Sequence, residues 1–133
     1  MIARLVAVGL GGCVGALLRY GLSGWVQRRA AGDFPAGTLA VNVLGCLAIG
    51  LISHLAMERG DLAPNTRLFL TVGILGAFTT FSTFGVETID LLGQGARGLA
   101  FASVAANVLL GLGAVLAGRA LGQMVWPGAP LAG

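Results

Sequence analysis

The sequence predicts an all-α membrane protein with four transmembrane helices, and three observations lead there. Of 133 residues, 56% are hydrophobic and only 10% charged, against about 25% charged in an ordinary soluble domain. The mean hydropathy is +0.91, so there are too few polar side chains to cover a globule in water. The charges also leave long gaps: residues 5–18, 34–57, 68–86 and 98–118 carry no Asp, Glu, Lys or Arg. A span needs about 20 mostly apolar residues. Three windows meet that directly, and the first meets it if Arg19 is tolerated near one end.

The spacing predicts helices over about 3–25, 36–57, 67–91 and 98–122, forming a single domain over 1–126 with a flexible Gly/Pro/Ala-rich tail over 127–133. The links between them hold turn formers: Arg28-Arg29-Ala-Ala-Gly-Asp-Phe-Pro35, then Glu58-Arg59-Gly-Asp61 with Pro64, then Gly93-Gln-Gly95. The first apolar segment runs straight into an Arg-bearing helix with no small-residue cleavage pattern, so it reads as a span and not as a cleaved leader. Cys13 and Cys46 both lie in apolar runs and read as small packing residues, not a disulfide or metal pair. All eight cations are Arg, and no run exceeds Arg28-Arg29. That pattern excludes a nucleic-acid partner, which would need a basic stripe.

The first helix carries Gly11 and Gly15 as a GxxxG pair, with Gly12, Gly15 and Arg19 on one face. Small residues let helices approach closely where lipid offers no hydrophobic drive between them. Arg19 has two readings: it snorkels to the interface, or it draws anions into a vestibule, since a guanidinium inside a span is costly without a role or a partner. In the second helix Thr38, Asn42 and Gly45 share a face. The Asn42 amide is either interhelical glue or a lining donor. His54, near the end of that helix, reads as an interfacial residue.

The third helix is the most unusual. Gly73-Ile-Leu-Gly76-Ala-Phe78-Thr79-Thr80-Phe81-Ser82-Thr83-Phe84 packs four hydroxyl residues and three phenylalanines into seven positions. β-Branched Thr and flexible Gly weaken a helix, and a break near 76–80 is expected. Carbonyls freed at membrane depth need burial in protein or an ion, and broken transporter helices coordinate sodium this way. Phe81 and Phe84 are i, i+3 neighbours: a packing pair, or two positive ring edges suited to a small anion. Glu87 and Asp90 mark the exit of the span. In the fourth helix Ser103 and Asn107 lie at i, i+4, continuing to Gly111, and read either as buried hydrogen bonding or as pore lining. No paired carboxylates, His/Cys cluster, nucleophile-base set or phosphate-binding fingerprint appears, so the chain is not read as an enzyme.

Orientation follows the Arg count of short loops. One side holds Arg4, Arg59, Arg67 and Arg119; the other holds Arg28, Arg29 and Arg97, with Arg19 near its boundary. Either the terminal amine tips a near-even balance, or the chain inserts both ways, which permits an antiparallel dimer.

The runs Gly11-Gly-Cys-Val-Gly-Ala-Leu-Leu-Arg19-Tyr20, Gly37-Thr-Leu-Ala-Val-Asn42-Val-Leu-Gly45 and Gly76-Ala-Phe-Thr-Thr-Phe81-Ser-Thr-Phe84 closely resemble the Fluc/CrcB fluoride channel family. The resemblance implies an antiparallel, dual-topology homodimer with two fluoride pores, each lined by both subunits. It implies Phe81 and Phe84 as the pore phenylalanines and Asn42 as the pore asparagine, with polar contacts from Thr38, Ser82 and Thr83. Carbonyls of Gly76 and Thr79 from both subunits would surround one structural sodium ion (Na+) at the dimer interface, and Arg19 would sit near a vestibule. Ser103 stands where some relatives align a tyrosine. The implied function is passive export of cytoplasmic fluoride across the bacterial inner membrane, giving fluoride resistance. Two other classes compete. A dual-topology drug/proton antiporter is also a four-helix dimer, but it wants a membrane-embedded carboxylate, and every acid here lies at a span end or in a loop. A non-transporting assembly subunit would use the Gly faces and Asn residues only as glue.

Overall fold

The computed structural model of the chain describes residues 1–54, 62–125 and 127. Four helical stretches are long and apolar enough to cross a membrane: Ile2–Gln27, Ala36–Ser53, Pro64–Gly93 and Arg97–Val125. We label Ile2–Gln27 α1 and Ala36–Ser53 α2. The third stretch divides into α3 (64–78) and α4 (Phe81–Gly93), and Arg97–Val125 is α5. The second helix, expected to reach 57, is described to Ser53; the Glu58-Arg59-Gly-Asp61 loop and the tail from 128 onward lie outside the described residues.

The first link is tied from both sides by Gln27. Its amide donates to the Phe34 carbonyl at 3.1 Å, and its oxygen accepts the Gly37 N–H at 3.0 Å, one of the N–H groups a helix start leaves unpaired. At that end the Arg29 guanidinium stacks on the Trp25 ring, 4.1 Å from its centroid, an aromatic-plus-cation anchor suited to the membrane interface. The third link closes α4 by a Schellman turn. Ala96 N–H reaches the Leu91 carbonyl and Gly95 N–H the Leu92 carbonyl, at 2.9 and 3.0 Å, with Gly95 in the left-handed region at φ 77°, where glycine carries no Cβ penalty.

The third span is not one regular helix. It begins as an α-turn over Pro64–Leu68, widens into a π-helical stretch over Phe69–Leu75 and ends in a single turn, Gly76–Phe78. Thr79 (φ −80°, ψ 156°) and Thr80 (φ −147°, ψ 110°) are then extended. The break thus falls at the C-terminal edge of the expected 76–80 window. Two consecutive β-branched hydroxyl residues explain the position: they are weak helix formers, and their hydroxyls offer the backbone other partners. Thr79 Oγ1 donates back to the Leu75 carbonyl at 3.0 Å, and Thr80 Oγ1 accepts the Thr83 N–H at 3.2 Å, capping α4.

Glycine decides the packing. Gly11 and Gly15 are buried on α3: a Cβ on Gly11 would stand 2.9 Å from Gly73 Cα, and one on Gly15 would stand 3.0 Å from Ile74 Cα. The GxxxG pair is therefore a helix contact, whereas a Cβ on Gly12 would meet nothing within 4 Å. The second seam joins α2 to α5, where Gly50 meets Val115 and Gly118 meets Leu47. His54, at the C-terminal cap of α2, is buried against Gly122, whose missing Cβ makes room for the ring. The α4 segment is the least covered, packing on α5 and lightly on α2, with Val86, Ile89 and Phe81 exposed.

Candidate functional site

The site grows from the helix break. In an unbroken helix the Thr80 N–H would bond the Gly76 carbonyl, and the Thr83 N–H would bond Thr79's. Here Thr80 N–H donates to Asn42 Oδ1 at 2.8 Å and Thr83 N–H to the Thr80 hydroxyl. The carbonyls of Gly76 and Thr79 thus lose their helical partners at membrane depth, where an unsatisfied carbonyl is expensive. Asn42, half-buried on α2, spans the gap: its Nδ2 also donates to the Thr80 carbonyl at 3.2 Å and to Asn107 Oδ1 at 2.9 Å. Asn107 Nδ2 in turn donates to the Ser103 carbonyl at 3.0 Å.

Beside this network lies a cleft of about 400 Å³ bounded by Asn42, Asn107, Gly76, Thr79, Phe81 and Phe84, with Gly45 and Cys46 behind them. The Phe81 and Phe84 rings pack with centroids 5.6 Å apart and planes tilted by 54°. Phe84 is half-buried, but Phe81 is 83% exposed on the isolated chain. A large ring left that open at the break invites a covering surface.

A second recess of about 240 Å³ gathers Arg19, Tyr20, Ser23, Thr38, Thr80 and Thr83. It brings Arg19 together with two of the polar residues named from sequence, Thr38 and Thr83. The Thr80 hydroxyl donates to Thr83 Oγ1 at 2.8 Å, and the buried Thr38 hydroxyl donates to Glu87 Oε1 at 2.8 Å. Thr38 is the third residue of α2, so Glu87 sits level with the positive N-terminal end of that helix, which favours a carboxylate. This places the acid at a span end, as the sequence suggested. A neighbouring recess of about 380 Å³ is lined by Asp33, Glu87 and Asp90.

Two residues singled out from sequence are not brought to these cavities. Ser82 is exposed and lines neither the cleft nor the Arg19 recess, and Ser103 is fully buried in the protomer, entering the site through its carbonyl. Sequence reading did not identify Thr80 as the clamped residue, Glu87 as the acceptor of Thr38, or Asn107 as the partner of Asn42. The only available signal for the last was the i, i+4 pairing of Ser103 and Asn107.

The profile of the family described as "CrcB-like protein, Camphor Resistance (CrcB)" matches residues 6–119. Similar proteins include three named fluoride-specific ion channel FluC. That of Nitratidesulfovibrio vulgaris is 48% identical, covering 92% of this chain and 98% of its own. That of Thermus thermophilus is 46% identical over 91% and 94%, and that of Agrobacterium fabrum 41% identical over 90% and 96%.

Proposed function

The chain belongs to the CrcB-like family, and on that premise we propose that it is a fluoride-selective channel that lets cytoplasmic fluoride leave passively and so gives fluoride resistance. It is a multi-pass membrane protein, and the reading puts it in the bacterial inner membrane. One observation carries the mechanism: amides of Asn42 and Asn107 and the rings of Phe81 and Phe84 line one cleft at the helix break. Fluoride is small and strongly hydrated, so a pore must replace its water with donors. Amide, hydroxyl and ring-edge donors do this without the tight hold of a buried cation, and conduction needs sites weak enough to leave. In this reading Arg19 gathers anions at the vestibule, Thr38 and Thr83 line the approach, Ser82 stands outside both cavities of the protomer, and Ser103 backs the inner end.

The working unit is proposed to be an antiparallel homodimer with two pores. Supporting it are the uncovered α4 face, the 83% exposed Phe81 ring and the even division of Arg between the two membrane sides. Among the described residues no group of three His, Cys, Asp or Glu side chains gathers to hold a metal. The released carbonyls of Gly76 and Thr79 suit a hard cation instead, and two from each subunit would hold a structural sodium ion where the breaks meet. The antiporter reading lacks a mid-membrane carboxylate, since Glu87 lies at the level of the α2 N-terminus.

The test is anion efflux from liposomes holding the purified protein. Fast fluoride efflux, little chloride efflux and no dependence on a proton gradient are expected, with Phe81→Ile about fivefold slower if a ring-edge contact worth about 1 kcal/mol is lost. Equal chloride flux, or none from folded protein, sinks the channel. Dual insertion is checked separately by placing a cysteine tag at either terminus: labelling from both sides of sealed cells is expected, and one-sided labelling counts against the antiparallel dimer.

A further inference from the structure

Charges of opposite sign are kept apart where α1 ends. Asp33, Glu87 and Asp90 line one recess there, and neither Arg28 nor Arg29 lines it. Both arginines are exposed, just past the last residue of α1. Each lies back over the residue four positions earlier. A Cβ on Gly24 would stand 3.1 Å from Arg28 Nη1. The Arg29 guanidinium lies 4.1 Å from the Trp25 ring centroid, with Nη1 3.5 Å from the Trp25 carbonyl oxygen. Stacking occupies the flat face of a guanidinium and leaves its edge of N–H donors free. Among the described residues no carboxylate pairs with either arginine. A helix C-terminus carries only about half a negative charge, against two positive ones here, so most of the pair's charge is left for a partner outside the protomer.

The same face of α1 continues into the membrane as an apolar stripe. Val14, Leu18, Gly21, Trp25 and Arg29 follow at i, i+4, i+7, i+11 and i+15, which is one side of a 3.6-residue helix. Val14, Leu18 and Trp25 are exposed, and a Cβ on Gly21 would meet nothing within 4 Å. The missing side chain leaves a shallow notch between Leu18 and Trp25. Tryptophan favours the level of the lipid headgroups, which sets the arginine pair at phosphate depth and the notch at acyl-chain depth. Two guanidiniums above an apolar notch complement a molecule with an anionic head and a hydrocarbon tail. The stripe belongs to a different helix from the α4 face assigned above to a second copy.

We propose that the C-terminal half of α1 binds an anionic phospholipid, with Arg28 and Arg29 on the headgroup phosphate and one acyl chain in the notch over Gly21. Planar guanidinium forks match phosphate oxygens in pairs, and the Trp25 ring holds one fork in place before the lipid arrives. The site stands on this geometry alone and does not depend on the channel reading.

Native mass spectrometry of the full chain released from detergent micelles tests it, with phosphatidylglycerol and phosphatidylcholine of identical acyl chains as the two probes. Phosphatidylglycerol is expected to bind at least about fivefold more tightly. Arg28→Gln and Arg29→Gln should each weaken its binding about fivefold, the scale of one arginine near an anionic surface. Arg97→Gln removes one charge from the same side of the membrane and should change nothing. Gly21→Leu fills the notch without touching the rest of the fold, and should weaken binding about fourfold, the scale of one buried methylene. Equal affinity for the two lipids overturns the proposal. Equal losses in Arg28→Gln, Arg29→Gln and Arg97→Gln mean diffuse attraction to charge and overturn it too. Unchanged binding in Gly21→Leu, or displacement of the lipid by inorganic phosphate, removes the acyl-chain half and with it the lipid. A change of oligomer size in Gly21→Leu with lipid binding intact gives the face to a second copy, which also overturns the assignment.

Discussion

Replacing Asn42 with alanine is expected to lower fluoride efflux about a hundredfold while leaving the proposed dimer assembled. The carboxamide makes three hydrogen bonds that no other side chain replaces: one from Thr80 N–H, one to the Thr80 carbonyl and one to Asn107. Hydrogen bonds between membrane helices average only about 0.6 kcal/mol each. The larger loss is what they leave behind, since an orphaned buried N–H or C=O costs about 1–3 kcal/mol. Thr80 is buried, so both its backbone groups stay away from water after the substitution. A bias of about 3 kcal/mol against the clamped arrangement lowers the competent fraction about a hundredfold. The rings move with the clamp, because Phe81 is the first residue after Thr80 and begins α4. The proposed dimer should survive, because Asn42 is half-buried within the protomer and its three hydrogen bonds all stay inside it. Liposome efflux beside a sizing profile checks both halves of the expectation. Efflux within threefold of the parent from a properly sized dimer would leave the amide as ordinary glue.

The spans were legible because charge is so costly in lipid that its absence over windows of about 20 residues marks them. The break was legible for a different reason: hydroxyls, glycines and aromatics crowded between Gly73 and Phe84 conflict with a plain lipid-facing helix. Partners were not legible. Helical periodicity placed Thr38 and Asn42 on one face but is silent about what that face meets. The Thr38–Glu87 bond joins residues 49 positions apart and the Asn42–Asn107 bond joins residues 65 apart. Ser103 shows the same limit from the other side. Its spacing from Asn107 was read correctly, yet only the packing reveals that its carbonyl, and not its hydroxyl, is what Asn107 uses. The burial of His54 was not legible either, because the space left by Gly122 could not be seen without the fold.

The distribution of charge and hydrogen bonds bears on selectivity as well. Arg19 stands in the recess at one end, and the break itself is lined by amides, hydroxyls and rings. A full positive charge at the narrow part would bind any small anion and release it slowly. In the proposed channel, neutral donors held by Asn42 and Thr80 would discriminate by geometry, at a strength from which an ion can escape.

Gly118→Ala is expected to abolish assembly of the folded protein, although it adds a single methyl group. On the α2–α5 seam a Cβ at Gly118 would collide with the Leu47 carbonyl and stand 2.9 Å from Leu51 N, and both are backbone atoms of a helix interior. Neither can rotate away as a side-chain tip would, so the helices must separate. Separation lifts the whole seam, including the Gly50–Val115 contact and the Gly122–His54 contact, and membrane helices hold together chiefly by such close packing. Overpacking costs typically about 1–3 kcal/mol where side chains can yield, and a backbone-on-backbone clash belongs above that range. Gly111→Ala is the matched control. It lies on the same helix and seam, but its added Cβ would meet Cys46 Sγ at 3.5 Å, an ordinary contact, and alanine is the better helix former by about 1 kcal/mol. In one expression and thermal-unfolding series, Gly111→Ala should match or exceed the parent in yield and midpoint while Gly118→Ala yields no monodisperse protein. Equal behaviour of the two variants would mean that the helices are not held at backbone contact. In that case Asn42 and Asn107, which face each other from these same two helices, would lack the fixed frame that their hydrogen bonds require.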